Sequence, residues 1–258
     1  MVAQITTTIA PEIIYPDCDG QPMSDNTKQF RWIVTVKENL ELLFAQDPNV
    51  FIAGDLLWYP IEGDNKTRIA PDAMVVFGRP KGDRGSYQQW KEAGIPPQVV
   101  FEILSPGNRM GEMNRKLCFY EQHGVAEYYI YDPDRIDFTG WIRSGERFEA
   151  IPKAEGSADD DLTNWTSPIL GIEFQMQPDT LVIYHPDGRP FLGFVELDLR
   201  RQQAEQELAQ ATQKAEAATQ RAESATQKAE VATQQAEAAT RRAEMLAAKL
   251  RELGIDDV

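Results

Sequence analysis

Glu102 stands where an ionised side chain is costly. It lies in "VVFEIL", residues 99–104, among Val99, Val100, Phe101, Ile103 and Leu104. Such a run fills a buried strand, and a carboxylate inside it must be paired, hydrogen-bonded or bound to a metal. Asp72 raises the same question, following Pro71 at the head of "AMVVF", a second apolar run. Two carboxylates on neighbouring strands can converge on one divalent cation. Oxygen ligands suit Mg²⁺, which takes one or two protein carboxylates and keeps places for water and phosphate. An ion held so stabilises charge on a phosphoryl oxygen and lowers the pKa of an attacking water. Lys116, on the helix expected after the Glu102 strand, completes the set with an ammonium that can orient that water or stabilise the developing charge.

Each residue also has a purely structural reading. An aspartate after proline commonly starts a strand or a turn, and a glutamate in a strand commonly faces solvent. Glu112, Lys116 and Tyr120 are spaced i, i+4 and would form a surface ion pair with a stacking contact. The other candidates are weaker. His123 and His185 are the only histidines, and no His/Cys pair has zinc-ligand spacing. His123 beside Gly124 reads as a helix C-terminal residue interacting with the dipole, and "DPD" at 132–134 as a turn.

The elements that must position these groups follow from the pattern. Residues 1–22 read as an extended arm. "MSDNTKQFRWIVTVKENLELLFAQD" carries Phe30, Ile33, Val36, Leu40 and Leu43 at three- and four-residue spacing, an amphipathic helix with Ser24 or Asp25 as N-cap. Strand-like runs at about 50–58 and 69–77 flank "EGDNK", an antiparallel pair, with Asp55 placed on the first. A long connection follows, with a short helix at "SYQQWKEAG". Next come the 98–104 strand, a helix over "GEMNRKLCFYEQHG" closed by Gly124, and the strand "AEYYIYD". Shorter strands are expected at about 136–142, 146–151, 172–176 and 180–184, with the acidic loop "AEGSADDD" among them. The fold class is a mixed α/β sheet with flanking helices.

The last stretch is a separate object. "ATQKAEA", "ATQRAES", "ATQKAEV", "ATQQAEA" and "ATRRAEM" repeat from Ala211 to Met245. With Ala215 at heptad position a, the a and d positions run through Ala218, Ala222, Ala225, Ala229, Ala232, Ala236, Ala239 and Ala243 to Leu246, Leu250 and Leu253; Leu208 fits upstream. A strict seven-residue period implies a left-handed coiled coil. A solvated single helix, sustained by alanine propensity, is the alternative.

Composition narrows the classes. The net charge is −15, and the stretch from Asp198 holds nine Lys/Arg and eleven Asp/Glu, leaving −13 on the first 197 residues. A broad basic surface for nucleic acid is therefore absent, though a local basic groove or an acidic site offset by a divalent metal is not. No apolar run approaches the ~20 residues of a membrane span. No secretory signal is read at the N-terminus. Cys18 and Cys118 are too few for a disulfide framework, so a reduced, cytoplasmic setting is expected.

"PDAMVVFG", "VVFEILSP", "RKLCFYEQHGVAEYYIYDPD" and "SPILGIEF" together resemble the Uma-type family of restriction endonucleases, within the PD-(D/E)XK nuclease superfamily. The resemblance spans about residues 20 to 197. It implies that Asp72 is the aspartate of the Pro-Asp motif and Glu102 the acid of the second motif. Two residues on, where the superfamily pattern has lysine, this chain has Leu104. It resembles members whose lysine has moved to the next helix, which points to Lys116. The implied protein is a Mg²⁺-dependent DNA endonuclease, with Mn²⁺ as a substitute ion. Asp72 and Glu102 would hold the metal, Lys116 would assist catalysis, and Asp55 would be a further ligand or a supporting partner. The expected organisation is an arm over 1–22, a nuclease-like domain over 23–197 and a coiled coil over 198–258. Homo-oligomers would form through both head and tail, with DNA as substrate and no membrane. The rival expectation is an inactive nuclease fold serving as an oligomeric interaction module.

Overall fold

The computed structural model describes residues 13–20, 24, 26–108, 110–152 and 164–252. The acidic "AEGSADDD" loop and Leu253 lie outside these residues. The chain divides into two compact units, Met1–Phe194 and Val195–Val258.

In the first unit, helix α1 (Thr27–Leu43) starts at Asn26, whose side chain accepts from the Gln29 N–H at 2.9 Å. The N-cap is therefore Asn26 instead of Ser24, and Asp25 lies outside the described residues. Asn has the short acceptor this position favours. Ile33, Val36 and Leu40 are buried along one stripe, whereas Phe30 is exposed.

A six-stranded sheet carries the unit, built from β1 (Val50–Ala53), β3 (Ala73–Phe77), β5 (Val99–Ile103), β6 (Glu127–Asp132), β7 (Asp137–Ser144) and β8 (Arg147–Ala150) in that spatial order. All neighbours are antiparallel except β5 and β6. A parallel pair needs a crossover. Helix α2 (Met110–Gln122) supplies it. The helix ends in a Schellman turn: Gly124 has φ +91° and the Val125 N–H reaches the Tyr120 carbonyl at 3.1 Å. Arg143 on β7 donates to the carbonyls of Tyr120, Glu121 and Val125, capping the same end.

Several expected elements are shaped differently. The 50–58 run is broken after Ala53, because Asp55 takes a left-handed φ of 49° that no strand can continue through. Asp55 thus lies in the bend between β1 and β2 (Trp58–Tyr59), not on a strand. Within "SYQQWKEAG", Tyr87–Gln88 forms strand β4, parallel to β2, and only a single 3-10 turn follows over Gln89–Lys91. A small sheet joins β9 (Trp165–Thr166), β10 (Glu173–Met176) and β11 (Leu181–Tyr184); its two-residue first strand was too short to read from the sequence. Of the proposed arm, Tyr15 packs its ring on Tyr59 and Trp90.

The sheet is buried on both faces. Ala73, Val75, Val99, Phe101 and Tyr129 pack with α1 and the small sheet, while Met74, Val76, Val100 and Tyr128 pack with Tyr120 of α2. The described part of the second unit belongs to one helix, α3 (Phe194–Glu252, 59 residues). Among the described residues no helix is long and apolar enough to cross a membrane.

Candidate active site

Register decides what Asp72 and Glu102 share. The β3–β5 ladder pairs Ala73 with Phe101 and Met74 with Val100. One step further along it, Asp72 falls opposite Glu102. Side chains alternate between faces along a strand, so both acids belong with Met74, Val100 and Tyr128, on the face that α2 covers.

Helix α2 then meets Glu102 with two donors one turn apart. The Lys116 ammonium donates to Oε2 at 2.7 Å, and the Tyr120 hydroxyl donates to Oε1 at 2.5 Å. Glu102 is 2% exposed. The surface reading of Lys116 fails here: it pairs with Glu102 rather than with Glu112, and Tyr120 is fully buried. An ammonium and a hydroxyl on neighbouring turns of one helix face match the two oxygens of one carboxylate. That is why a buried charge is tolerated at position 102.

Asp72 is held differently. Its Oδ2 accepts the Ile103 backbone N–H at 2.6 Å, while Gln29 of α1 donates to the Ile103 carbonyl at 2.8 Å. Oδ1 makes no hydrogen bond among the described residues. Burial, reinforced by the charge of Glu102 and more weakly of Asp55, pushes the Asp72 carboxyl well above its usual range; Lys116 and the Ile103 N–H only partly oppose this. Burial alone would lower the Lys116 pKa, but Glu102, Asp72 and the bond to Glu102 outweigh it, with a smaller push from Glu112, and hold it above 10.5. Lys116 therefore stays an ammonium at neutral pH. Burial, then Asp19 and more weakly Glu102, raise Asp55 as well, against Lys116.

Asp72 and Lys116 line a cavity of about 610 Å³, together with Asp55, Glu112, Lys66 and Arg68. Glu102 does not line it and stands behind Lys116. Among the described residues no group of three His, Cys, Asp or Glu side chains is arranged to hold a metal ion.

Tyr128 was missed by sequence reasoning. Its ring lies 4.8 Å from that of Tyr120, and its buried hydroxyl has no hydrogen-bond partner among the described residues. Burial and the charges of Glu102 and Asp72 keep it protonated. "AEYYIYD" gave no signal separating this tyrosine from its neighbours. Gln29 was also missed, since a polar residue in the first turn of a helix ordinarily faces water.

Other buried polar groups belong elsewhere. Glu127, on the opposite face by parity, accepts from the Ser167 hydroxyl at 2.5 Å, the Ile169 N–H at 2.9 Å and the Tyr129 hydroxyl at 3.0 Å, tying the "SPIL" loop to β6. His123, at the C-terminal end of α2 as expected, packs on Phe119 and Trp58, and burial lowers its pKa, so it stays neutral near pH 7. Asp132 accepts the N–H groups of Asp134 and Arg135, making "DPD" a turn.

Fold and site together define a mixed α/β protein with two buried acids and a lysine at one end of a central sheet. A family model described as "Uma2: Putative restriction endonuclease" matches residues 12–176, and the chain belongs to that family. Among solved structures, one titled a putative nuclease belonging to DUF820, from Anabaena variabilis ATCC 29413, is similar at 16% identity and a TM-score of 0.41. The match covers 60% of this chain and 81% of that one. No curated protein matches.

Proposed function

We propose that the chain is a Mg²⁺-dependent DNA endonuclease, able to use Mn²⁺, that hydrolyses phosphodiester bonds. One observation carries the reading: Glu102, opposite Asp72 on one sheet face, is buried against an ammonium at the wall of a cavity of about 610 Å³. Family membership supports a hydrolase acting on nucleic acid.

The residues fit a hard cation of this kind. Asp72 presents an oxygen with no partner, in surroundings negative enough to raise its own pKa. Carboxylate oxygens suit Mg²⁺, and Asp72 has room beside it for the ion's waters, whereas Glu102 would have to exchange a Lys116 or Tyr120 bond for the ion. When bound, the ion would supply Lewis-acid stabilisation of phosphoryl charge and a more acidic water. Asp72 and Glu102 would hold it, and Asp55 would support it from the cavity wall. Lys116, fixed as an ammonium, cannot act as a general base. It donates hydrogen bonds to the attacking water or to the charge building on phosphorus. Lys66 and Arg68 give the cavity the local positive charge that the acidic chain otherwise lacks. A homo-oligomer, formed through head and tail, would bring two centres to two strands.

One observation favours the rival reading of an inactive module. Lys116 and Tyr120 already occupy both oxygens of Glu102, so its burial is compensated without any ion. Plasmid incubated with Mg²⁺ or Mn²⁺ and the parent, Asp72→Ala or Glu102→Ala proteins separates the two. Nicking by the parent alone, abolished by EDTA, is expected. Equal nicking by all three, or by none, refutes the catalytic reading.

A further inference from the structure

From Leu208 to Glu252, α3 is exposed on every side within its own unit, including Leu208, Leu246 and Leu250 at positions a, d and a of the heptad. We infer that this face is covered by the same face of a second copy, in a parallel, in-register pair. The inference is independent of the nuclease reading. It rests on the charges that border the seam.

Position g carries Lys214, Arg221, Lys228, Arg242 and Lys249, with Gln235 the exception, while position b carries Glu216, Glu223, Glu230, Glu237 and Glu244, with Arg251 the exception. Between the glutamates and the seam, position e holds Thr212, Thr219, Thr226, Thr233 and Thr240. The threonines from Thr219 onward each return a hydroxyl bond to the alanine carbonyl four residues back, and Thr212 returns one to Leu208. That flank is therefore short and uncharged. One edge of the seam is thus basic, and the other is acidic beyond a low neutral shoulder.

A solvated single helix would satisfy such charges internally, through pairs three or four residues apart. Here each glutamate stands two residues after one g position and five before the next, a spacing that turns the two signs away from each other; Arg241 at position f, four after Glu237 and three before Glu244, is the exception. Among the described residues none of these ten charges forms an ion pair, whereas Arg201 pairs with Asp198 and Glu205 near the start of the helix. The pattern is complementary between helices instead of within one.

Direction follows from which edges meet. In a parallel pair position g faces position e of the partner, and in an antiparallel pair g faces g and e faces e. Parallel packing lays the lysine and arginine edge over the partner's threonines, and their long side chains reach the glutamates beyond. Alanine at a and d lets the helices approach closely, which shortens that reach. Antiparallel packing would set cation against cation along one side and glutamate against glutamate along the other. The leucines agree: a parallel pair brings Leu246 and Leu250 each against its own copy, whereas antiparallel helices layer a against d, which in full overlap sets Leu246 against Ala215 and Leu250 against Ala211. The charges point the same way.

Single cysteines in the full-length chain test the direction, with Cys18→Ser and Cys118→Ser removing the native thiols. Ala218→Cys at position d and Ala243→Cys at position a sit in the seam near its two ends, 25 residues or about 38 Å apart along a helix, and Gln220→Cys faces outward at position f. Each seam variant alone should oxidise to a covalent dimer as the main species, while Gln220→Cys should not, and sedimentation should show the reduced parent as a dimer. Linking only when the Ala218→Cys and Ala243→Cys proteins are mixed would mean antiparallel helices, which layer d against a, and would overturn the inference. A reduced parent that sediments as a monomer or trimer would also overturn it. So would a dimer whose seam variants link no faster than Gln220→Cys, because association would then lie in the Met1–Phe194 unit alone.

Discussion

Two tyrosines beside Glu102 should respond to the same one-atom change with opposite signs. Tyr120 and Tyr128 are both fully buried with rings 4.8 Å apart, yet only Tyr120 donates to the carboxylate, while the Tyr128 hydroxyl has no partner among the described residues. Tyr120→Phe removes a charge-assisted bond worth about 1.5–3 kcal/mol. For a unit of this size each kcal/mol moves the melting midpoint by roughly 2–4 °C, so a fall of about 3–12 °C is expected. Tyr128→Phe deletes a buried hydroxyl whose desolvation is uncompensated, a cost of about 1–3 kcal/mol, and its midpoint should hold or rise. Thermal unfolding in EDTA, followed by tryptophan fluorescence, isolates the effect, because Trp32, Trp58, Trp90, Trp141 and Trp165 all precede α3. A midpoint for Tyr120→Phe within about a degree of the parent, or an equal fall for both variants, would refute the account of how Glu102 is kept buried.

Three further perturbations follow. Asp72→Asn keeps an acceptor for the Ile103 N–H and removes a buried charge facing Glu102, so the metal-free protein should melt higher while Mg²⁺ no longer shifts its midpoint. The parent's Asp72 pKa is raised, so the folded state holds that proton longer than the unfolded chain does. Its contribution is full below 3.8 and is lost as pH rises through the folded value; melts across that range should show the decline in the parent and not in Asp72→Asn. Lys116→Met leaves a buried carboxylate with a hydroxyl alone and should cost about 3–5 kcal/mol in EDTA. It should impair cleavage while Mg²⁺ affinity by calorimetry is largely kept, and because the Lys116 pKa is raised, the parent's activity profile should show no lysine titration below 10.5. Asp55→Gly relieves the left-handed backbone at φ 49° and should stabilise the metal-free chain by about 0.5–1 kcal/mol in urea melts; an accompanying loss of Mg²⁺ affinity would mark Asp55 as a metal partner.

Sequence alone was enough to pick out Glu102, because a single carboxylate inside "VVFEIL" conflicts with its neighbours wherever the strand is buried. It also placed Lys116 on the next helix and laid out the heptads of α3, since these depend on spacing along one chain. It could not say which face Glu102 and Asp72 occupy. All five residues of β5 and the first four of β3 are buried, so the apolar–polar alternation that marks a face is missing. Only the pairing of β3 with β5, set by tertiary contacts, puts Asp72 opposite Glu102. The same holds for Lys116, where local spacing offered Glu112 and the fold supplied Glu102, and for Asp55, whose apolar run looked continuous until the backbone turned. Chain-local patterns identify elements and the residues out of place within them. Which of those residues meet is decided by register and face, which are properties of the packed sheet.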